Sequence, residues 1–207
     1  MSKIGRKPIE IKGSSVSVLG QLVEYKGSKA AGSHRVPESF IPLLEGDKLY
    51  IRLKNEKDKG SREANRAWGL EHALLANKIK GSSTLFEKKL KINGLGFKAS
   101  FSTMSGVKDL EKKGEKVVLV GDTPSDIRKG LLLELGYSHY YYFGFPESID
   151  IEIDKIGQTI VIRSVDNSLA GTYASKIRAL RLPEPYKGTG IKHEQEIIRR
   201  KAGKKTG

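Results

Sequence analysis

Basic side chains collect at the carboxyl end of this sequence, and their shared chemistry is the binding of phosphate groups. Between Arg178 and Gly207 there are nine Lys or Arg residues and three Glu residues. Cations at this density displace counterions from a polyphosphate backbone, and such contacts position a nucleic acid without reading its bases. We therefore predict a nucleic-acid-binding segment here. The predicted phosphate contacts are Arg178, Arg181, Lys187, Lys192, Arg199, Arg200 and Lys201.

Two prolines predict how this segment leaves a folded body. Pro183 and Pro185 fix φ and push the residue before each of them to extended backbone, so a preceding helix must stop. We expect a stiff, extended arm that begins at residue 183 and a tail that becomes ordered on docking. Within it, Tyr186 is predicted to pack on a sugar or base, and Gly188 and Gly190 to let the backbone approach another surface closely.

A second glycine-rich segment, Gly94-Leu-Gly-Phe-Lys-Ala99, formally fits the fingerprint of dinucleotide-binding proteins. That fingerprint requires a following helix that presents its amino terminus to a pyrophosphate. Residues 100–103 show no apolar residues at helical spacing, so we predict a strand and no cofactor. The glycines and Phe97 then belong to a second binding patch, in which Lys98 reaches a phosphate.

A third pattern, Val117 to Ile127, resembles the metal-binding strand end of haloacid-dehalogenase-type phosphatases. Their chemistry requires two carboxylates to hold magnesium, here Asp122 and Asp126, and an upstream Asp-x-Asp that supplies the nucleophile. No Asp-x-Asp precedes residue 121. We therefore predict no catalytic residues and no enzyme, and we keep a magnesium-dependent phosphatase as an alternative hypothesis.

The cysteine and histidine content of the sequence gives no evidence for a metal or redox site. The sequence has no cysteine, which excludes disulfides and thiolate sites and favours a reducing compartment. The four histidines, at positions 34, 72, 139 and 193, lack the spacing of metal ligands. We predict no metal and no cofactor. The aromatic residues between Tyr137 and Phe145 are interpreted as packing one face of a sheet.

The elements that would position these residues occur twice. Alternating apolar residues predict strands near residues 16–25, 49–53 and 159–163, and helical spacing predicts helices over 62–80 and 169–180. Pro-Glu-Ser occurs at Pro37 and again at Pro146. The pattern predicts an α+β protein of two tandem duplicated domains, each with a small, mostly antiparallel sheet packed on a helix, followed by a basic extended tail. The predicted boundaries are 1–81, 82–182 and 183–207.

The first domain is predicted to begin with a short basic arm. Residues 1–12 contain Lys3, Arg6, Lys7 and Lys12 against Glu10. A contact with RNA and a frayed terminus are equally compatible with this composition.

The segment from Arg181 to Ile191 (Arg-Leu-Pro-Glu-Pro-Tyr-Lys-Gly-Thr-Gly-Ile) resembles the carboxyl-terminal signature of the sixth protein of the large ribosomal subunit, bacterial type. The pattern Gly-x-Gly-aromatic-basic at residues 94–98 also matches that family. The resemblance implies an internally duplicated, non-enzymatic protein that binds large-subunit ribosomal RNA near the stalk base and the sarcin-ricin loop, beside other ribosomal proteins.

Two departures from that family are visible. The family usually has lysine where this chain has Thr189. In addition, about thirty residues, 102–130, separate two strands that a short turn joins in the family. We interpret them as an insertion that protrudes from the second domain.

The overall charge is consistent with a polyanionic partner. The net charge is +14 and the isoelectric point about 9.8. A DNA-binding architectural protein is the alternative of the same chemistry. No run of eighteen apolar residues occurs, so we predict no membrane partner. We also predict that the protein is not a homo-oligomer. The expected location is the ribosome, in the bacterial cytoplasm or the mitochondrial matrix.

Overall fold

The computed structural model describes residues 2–55, 61–121 and 130–203. In that part of the chain there are fourteen strands and three helices. The chain forms two compact units. Unit 1 contains Met1–Phe86 and Val165–Asn167, and unit 2 contains Glu87–Ser164 and Ser168–Gly207.

Unit 1 contains two antiparallel three-stranded sheets and one helix, with strand orders β1-β6-β5 and β2-β3-β4. Its elements are β1 (Ile9–Glu10), β2 (Ser14–Leu19), β3 (Leu22–Gly27), β4 (Ala31–Arg35), β5 (Phe40–Glu45), β6 (Lys48–Leu53) and α1 (Arg62–Ser83).

Alternation of apolar and polar residues explains how unit 1 forms its core. In β6, Leu49 and Ile51 are buried while Lys48 and Arg52 face solvent. The helix α1 begins after Ser61, whose hydroxyl accepts a hydrogen bond from the amide of Ala64, and it buries residues at helical spacing. Those residues include Trp68, His72, Leu75 and Ile79. The prediction that Trp68 belongs to the core is confirmed, since the side chain is 7% exposed.

Unit 2 contains two four-stranded sheets, with strand orders β8-β10-β11-β9 and β12-β13-β7-β14. Its elements are β7 (Phe86–Asn93), β8 (Lys98–Ser102), α2 (Met104–Lys112), β9 (Lys116–Gly121), β10 (Gly130–Glu134), β11 (His139–Gly144), β12 (Ile149–Ile153), β13 (Thr159–Ser164), α3 (Asn167–Leu180) and β14 (Gly190–His193). The ring of Phe143 on β11 meets that of Tyr173 on α3 edge to face, with centroids 5.9 Å apart.

The order of elements confirms the predicted α+β duplication. In unit 1 a strand is followed by a three-stranded meander, a hairpin and a helix, namely β1, β2–β4, β5–β6 and α1. Unit 2 repeats this order as β7, then β8, β10 and β11, then β12–β13 and α3. Each repeat divides its strands between two sheets, whereas the sequence predicted one sheet in each.

The predicted insertion corresponds to an addition to the second repeat. Only Gly20 and Gln21 lie between β2 and β3, whereas α2 and β9 lie between β8 and β10. The segment does not simply protrude, because β9 pairs in parallel with β11 at the sheet edge and Val107 of α2 is 2% exposed. Its absence from the rest of the family stays a prediction. Asp122 and Asp126, on which the phosphatase hypothesis rests, lie outside the described residues.

The extended arm predicted from residue 183 differs from the observed structure. After α3 the chain reverses direction, and β14 adds to the sheet of unit 2 by pairing antiparallel with β7, where Gly190 lies opposite Asn93 and His193 opposite Leu90. The prolines do stop the helix. The direction that follows is determined by this distant pairing rather than by local backbone preference.

Candidate nucleic-acid interface

Backbone hydrogen bonds close a turn at residues 184–189, directly after the prolines. The amide of Glu184 donates to the carbonyl of Thr189 at 2.9 Å, and the amide of Gly188 donates to the carbonyl of Glu184 at 3.0 Å. The hydroxyl of Thr189 donates to the Glu184 carboxylate at 3.1 Å. Thr189, at the position where the resemblance predicted lysine, therefore joins the two sides of the turn.

Gly190 allows a close approach of the chain to itself. Its φ is +132°, and a Cβ at this position would lie 2.6 Å from the carbonyl oxygen of Leu182 and 2.9 Å from Cα of Pro183. No larger residue fits without displacing that backbone. The glycine was predicted to admit another surface, but the surface it admits is the residue 182–183 backbone of this chain. Gly188 has φ +74° and is buried beneath the Arg200 side chain.

Arg178, a predicted phosphate contact, is paired with a carboxylate. Its Nε donates to Oε2 of Glu196 at 2.9 Å, and its Nη2 donates to the other carboxylate oxygen. These hydrogen bonds raise the pKa of Arg178 and, together with one from the amide of His193, hold the pKa of Glu196 below its ordinary value against the effect of burial. A bidentate arginine–carboxylate pair has defined geometry, so Arg178 fixes the tail to α3.

Arg181, another predicted contact, lies against the protein. Its Nη1 donates to the carbonyl of Leu135 at 2.9 Å. Its Cζ lies 4.3 Å from the ring centroid of Tyr137 and 5.2 Å from that of Phe97. A guanidinium that stacks on aromatic rings gains cation–π attraction in addition to its hydrogen bond. Arg181 therefore joins the end of α3 to the loops that follow β7 and β10.

The predicted second patch, Gly94 to Lys98, has mainly structural contacts. A Cβ on Gly94 would lie 2.6 Å from ring atoms of Phe97, and one on Gly136 would also collide with that ring. Phe97 therefore packs on glycine backbone beside Arg181. Gly96 has φ +75° and faces open space.

Lys98 is the exposed cation of this patch. Its Nζ lies 3.1 Å from a carboxylate oxygen of Glu134, and its side chain is 62% exposed. The hydrogen bond with Glu134 raises the pKa of Lys98. Exposed pairs of this kind are weak, so Lys98 can exchange its carboxylate for a phosphate.

Four exposed cations of the tail have no carboxylate partner among the described residues: Lys187, Arg199, Arg200 and Lys201. All four are exposed. The amide of Lys201 donates to the carbonyl of Pro185 at 2.9 Å, which brings residues 199–201 beside the turn that carries Lys187. We call these four residues the carboxyl-terminal cationic surface. Tyr186, 53% exposed, lies next to Lys187.

Lys192 lies on β14 and is half-buried. Its Nζ donates to the backbone carbonyl of Glu196 at 3.4 Å. Lys192 and Arg178 therefore both bind Glu196 and hold this part of the tail against unit 2.

Sequence reasoning missed two features of this region. Glu196 was counted only as a negative charge, although it pairs with Arg178, eighteen positions earlier. Tyr137 stacks on His139, with centroids 5.3 Å apart, and also contacts Arg181. The dense aromatic run signalled packing, and Tyr142 and Phe143 are indeed buried. No residue spacing in the sequence predicted that Arg181 would contact Tyr137.

Residues 2–55, 61–121 and 130–203 contain neither a cluster of metal ligands nor a membrane-spanning helix. No three acidic or histidine side chains come together there as a metal site would need. No helix in this part of the chain has the length and apolar character needed to cross a membrane.

Comparison with known proteins gives a consistent result. A model of the family described as ribosomal protein L6 matches residues 114–194. Large ribosomal subunit protein uL6 of Syntrophomonas wolfei is 35% identical over 208 residues, which cover 100% of this chain and 99% of that protein. The uL6 proteins of Methylocella silvestris and a Synechocystis strain are 36% and 33% identical, each over 99% of this chain and at least 98% of their own length. With the duplicated α+β architecture and the basic turn after α3, this identity over the whole chain shows that the protein belongs to the ribosomal protein L6 family.

Proposed function

We propose that the carboxyl-terminal cationic surface anchors this protein to large-subunit ribosomal RNA near the factor-binding region at the stalk base. As a member of its family, the chain is a structural component of the large ribosomal subunit and not an enzyme. The observation that carries the proposal is the placement of Lys187 beside residues 199–201, with no carboxylate partner in the described part of the chain. Other ribosomal proteins are its expected neighbours.

The mechanism is electrostatic. The turn at residues 184–189, the pairing of β14 with β7 and the Arg178–Glu196 pair hold the tail before RNA arrives. Binding to RNA then costs little conformational entropy, because few additional parts of the chain become ordered. The release of counterions from RNA supplies most of the affinity. Because A-form grooves hide most base edges, specificity comes from the fit to a folded RNA surface.

The residues of the site divide into two roles. Arg178, Arg181 and Phe97 hold the surface in place, while Lys98 is an additional phosphate contact outside the carboxyl-terminal cationic surface. Tyr186 presents its ring for packing on a sugar or base. The protein acts in the ribosome, and the bacterial relatives favour the bacterial cytoplasm over the mitochondrial matrix.

The test compares two variants with equal loss of charge. The first replaces Lys187, Arg199, Arg200 and Lys201 with alanine. The matched control replaces four exposed lysines on α2 and at the start of β9: Lys108, Lys112, Lys113 and Lys116. Filter binding to a transcript of large-subunit ribosomal RNA is measured over a range of salt concentrations.

For the first variant, the slope of log affinity against log salt should become shallower by about 3 to 4, since each duplex phosphate contact contributes roughly 0.9. The control should retain its slope within about 1. Equal losses in both variants would mean that net charge alone drives binding. Preference for duplex DNA in a competition experiment would favour the architectural alternative, and either result would overturn the proposal.

A further inference from the structure

We infer that unit 1 carries a second phosphate-binding site, formed where the amino-terminal arm docks on α1, and that its ligand is the backbone of structured RNA. This amino-terminal cationic surface consists of Lys3, Arg6 and Lys7 of the arm and Arg62 and Arg66 of the helix. The inference rests on the proposed function, because it takes the same RNA as the ligand.

Hydrogen bonds fix both ends of the arm. The amide of Ser2 donates to Oδ1 of Asn65 at 2.8 Å, and Nε2 of His72 lies 2.9 Å from the carbonyl oxygen of Lys7. Because a carbonyl only accepts, Nε2 of His72 carries the proton. Burial lowers the pKa of His72, which keeps this ring neutral and the hydrogen bond directional. The arm therefore has a defined path along α1.

The middle of the arm rests on the core. Gly5 is buried, and a Cβ at this position would lie 2.6 Å from two ring atoms of Trp68. Trp68 in turn donates from Nε1 to the carbonyl of Ile51 at 2.7 Å. Only glycine allows the arm to lie on this indole ring, so the sequence of the arm is adapted to a docked position.

Docking brings the charges of two elements together. The arm contacts Asn65, Trp68 and His72, which share one face of α1. Arg62 and Arg66 lie one turn apart on α1, about 60° and about 100° around the helix axis from Asn65. The five cations are exposed, and none has a carboxylate within 4 Å in the described part of the chain.

Nearby acids do not neutralise the surface. Glu71 is bound to His34 at 2.9 Å, and Glu10 pairs with Lys12. Glu63 is three positions before Arg66 and therefore neighbours it on the helix surface, but the two side chains form no ion pair within 4 Å in the described part of the chain. Two of the five cations lie on a regular helix and three on a fixed arm, so the surface presents charge at set positions. Arginine forks of this kind favour phosphate oxygens.

The experiment separates charge from placement in the full chain. One variant, Lys3→Ala/Arg6→Ala/Lys7→Ala, removes three charges and leaves Gly5 on the indole. A second, Gly5→Ala, keeps every charge and displaces the arm. The matched control, Lys26→Ala/Lys29→Ala/Arg35→Ala, removes two lysines and one arginine from β3, β4 and the loop between them.

Filter binding to the large-subunit RNA transcript gives affinity and salt slope. The triple arm variant should lose about 2 to 3 units of slope and at least tenfold in affinity at physiological salt. Gly5→Ala should lose affinity in the same direction without a change in net charge. Fluorescence of Trp68, the only tryptophan, reports displacement of the arm. The control should resemble the unsubstituted protein.

The two proposals are distinguished by measuring the arm variants together with the variant that replaces Lys187, Arg199, Arg200 and Lys201 with alanine. If it loses affinity while both arm variants bind normally, the inference is wrong and the proposed function stands. If the arm variants alone lose affinity, the carboxyl-terminal anchor is wrong and the inference stands. Normal binding by Gly5→Ala despite a changed Trp68 signal would mean that docking is unnecessary, and normal RNA binding with loss of a neighbouring ribosomal protein would assign the surface to protein. Either would overturn the inference.

Discussion

Replacing Arg181 with alanine should destabilise unit 2 rather than remove a phosphate contact. The substitution deletes a hydrogen bond of 2.9 Å from a charged donor to the carbonyl of Leu135, a buried residue. Such a bond contributes about 1.5–3 kcal/mol. Two cation–π contacts, at 4.3 and 5.2 Å, add about 0.5–1 kcal/mol each at partly exposed sites. With allowance for solvent around the half-buried arginine, we expect a loss of about 2–4 kcal/mol.

Urea denaturation of the full chain measures this loss. Far-UV circular dichroism follows both units, and Trp68 fluorescence follows unit 1 alone. Because a chain with two units need not unfold in one step, the two signals are analysed separately. The circular dichroism transition assigned to unit 2 should move down by about 1–2 M urea, for a typical slope of 1–3 kcal/mol per molar. The Trp68 transition should stay near its original midpoint.

Arg181→Lys is the matched control. It keeps the charge but loses the planar fork that both stacks on the rings and donates to Leu135, so we expect an intermediate loss of stability. The reasoning would be refuted if Arg181→Ala unfolded like the unsubstituted protein while its RNA salt slope fell by about 0.9. That combination would restore Arg181 as the phosphate contact that the sequence predicted.

Two further substitutions test how the tail is held. Glu196→Gln should lower stability at pH 7 by roughly 1 kcal/mol, since the Arg178–Glu196 pair is about a quarter exposed. Because Arg178 holds the pKa of Glu196 low in the folded state, this contribution is complete above the unfolded value of about 4.3 and disappears as pH falls through the lower folded pKa. A difference that stayed constant from pH 7 to pH 3 in urea titrations would contradict it. Gly190→Ala should cost more than about 1 kcal/mol, because it combines a strained φ with a collision at Leu182. Gly96→Ala, with positive φ but open space, is its control, and equal losses for both would show that the collision is relieved at little cost.

The fold was predictable where the information is local. Alternation in Lys48–Leu53 and helical spacing around Trp68 describe how single elements meet a core, and both were read correctly. The repeat of Pro-Glu-Ser at Pro37 and Pro146 then indicated duplication, because each copy precedes a hairpin strand, β5 or β12. Periodicity could not show that each repeat has two sheets. Which strands share a sheet is decided by pairing between distant segments.

The tail shows the same limit at the level of backbone direction. Pro183 and Pro185 correctly predicted the end of α3. They could not predict β14, because its partner β7 lies about one hundred residues earlier. Gly190 was the one residue that could have indicated this return of the chain to its own sheet. A glycine directly before an apolar residue that becomes fully buried, Ile191, is as compatible with close approach to the chain itself as with approach to RNA.

Charge in the tail indicated what the segment can bind, but not how many of its cations remain available. Seven predicted phosphate contacts would change the salt slope by about 6, at roughly 0.9 per contact. In the structure Arg178 is bound to a carboxylate, Arg181 to a carbonyl and two rings, and Lys192 to a carbonyl. Four cations then remain, and the expected change falls to about 3.6. In the proposed mechanism the basic residues that face inward still support binding, since they hold the tail in the position from which the other four cations would contact RNA.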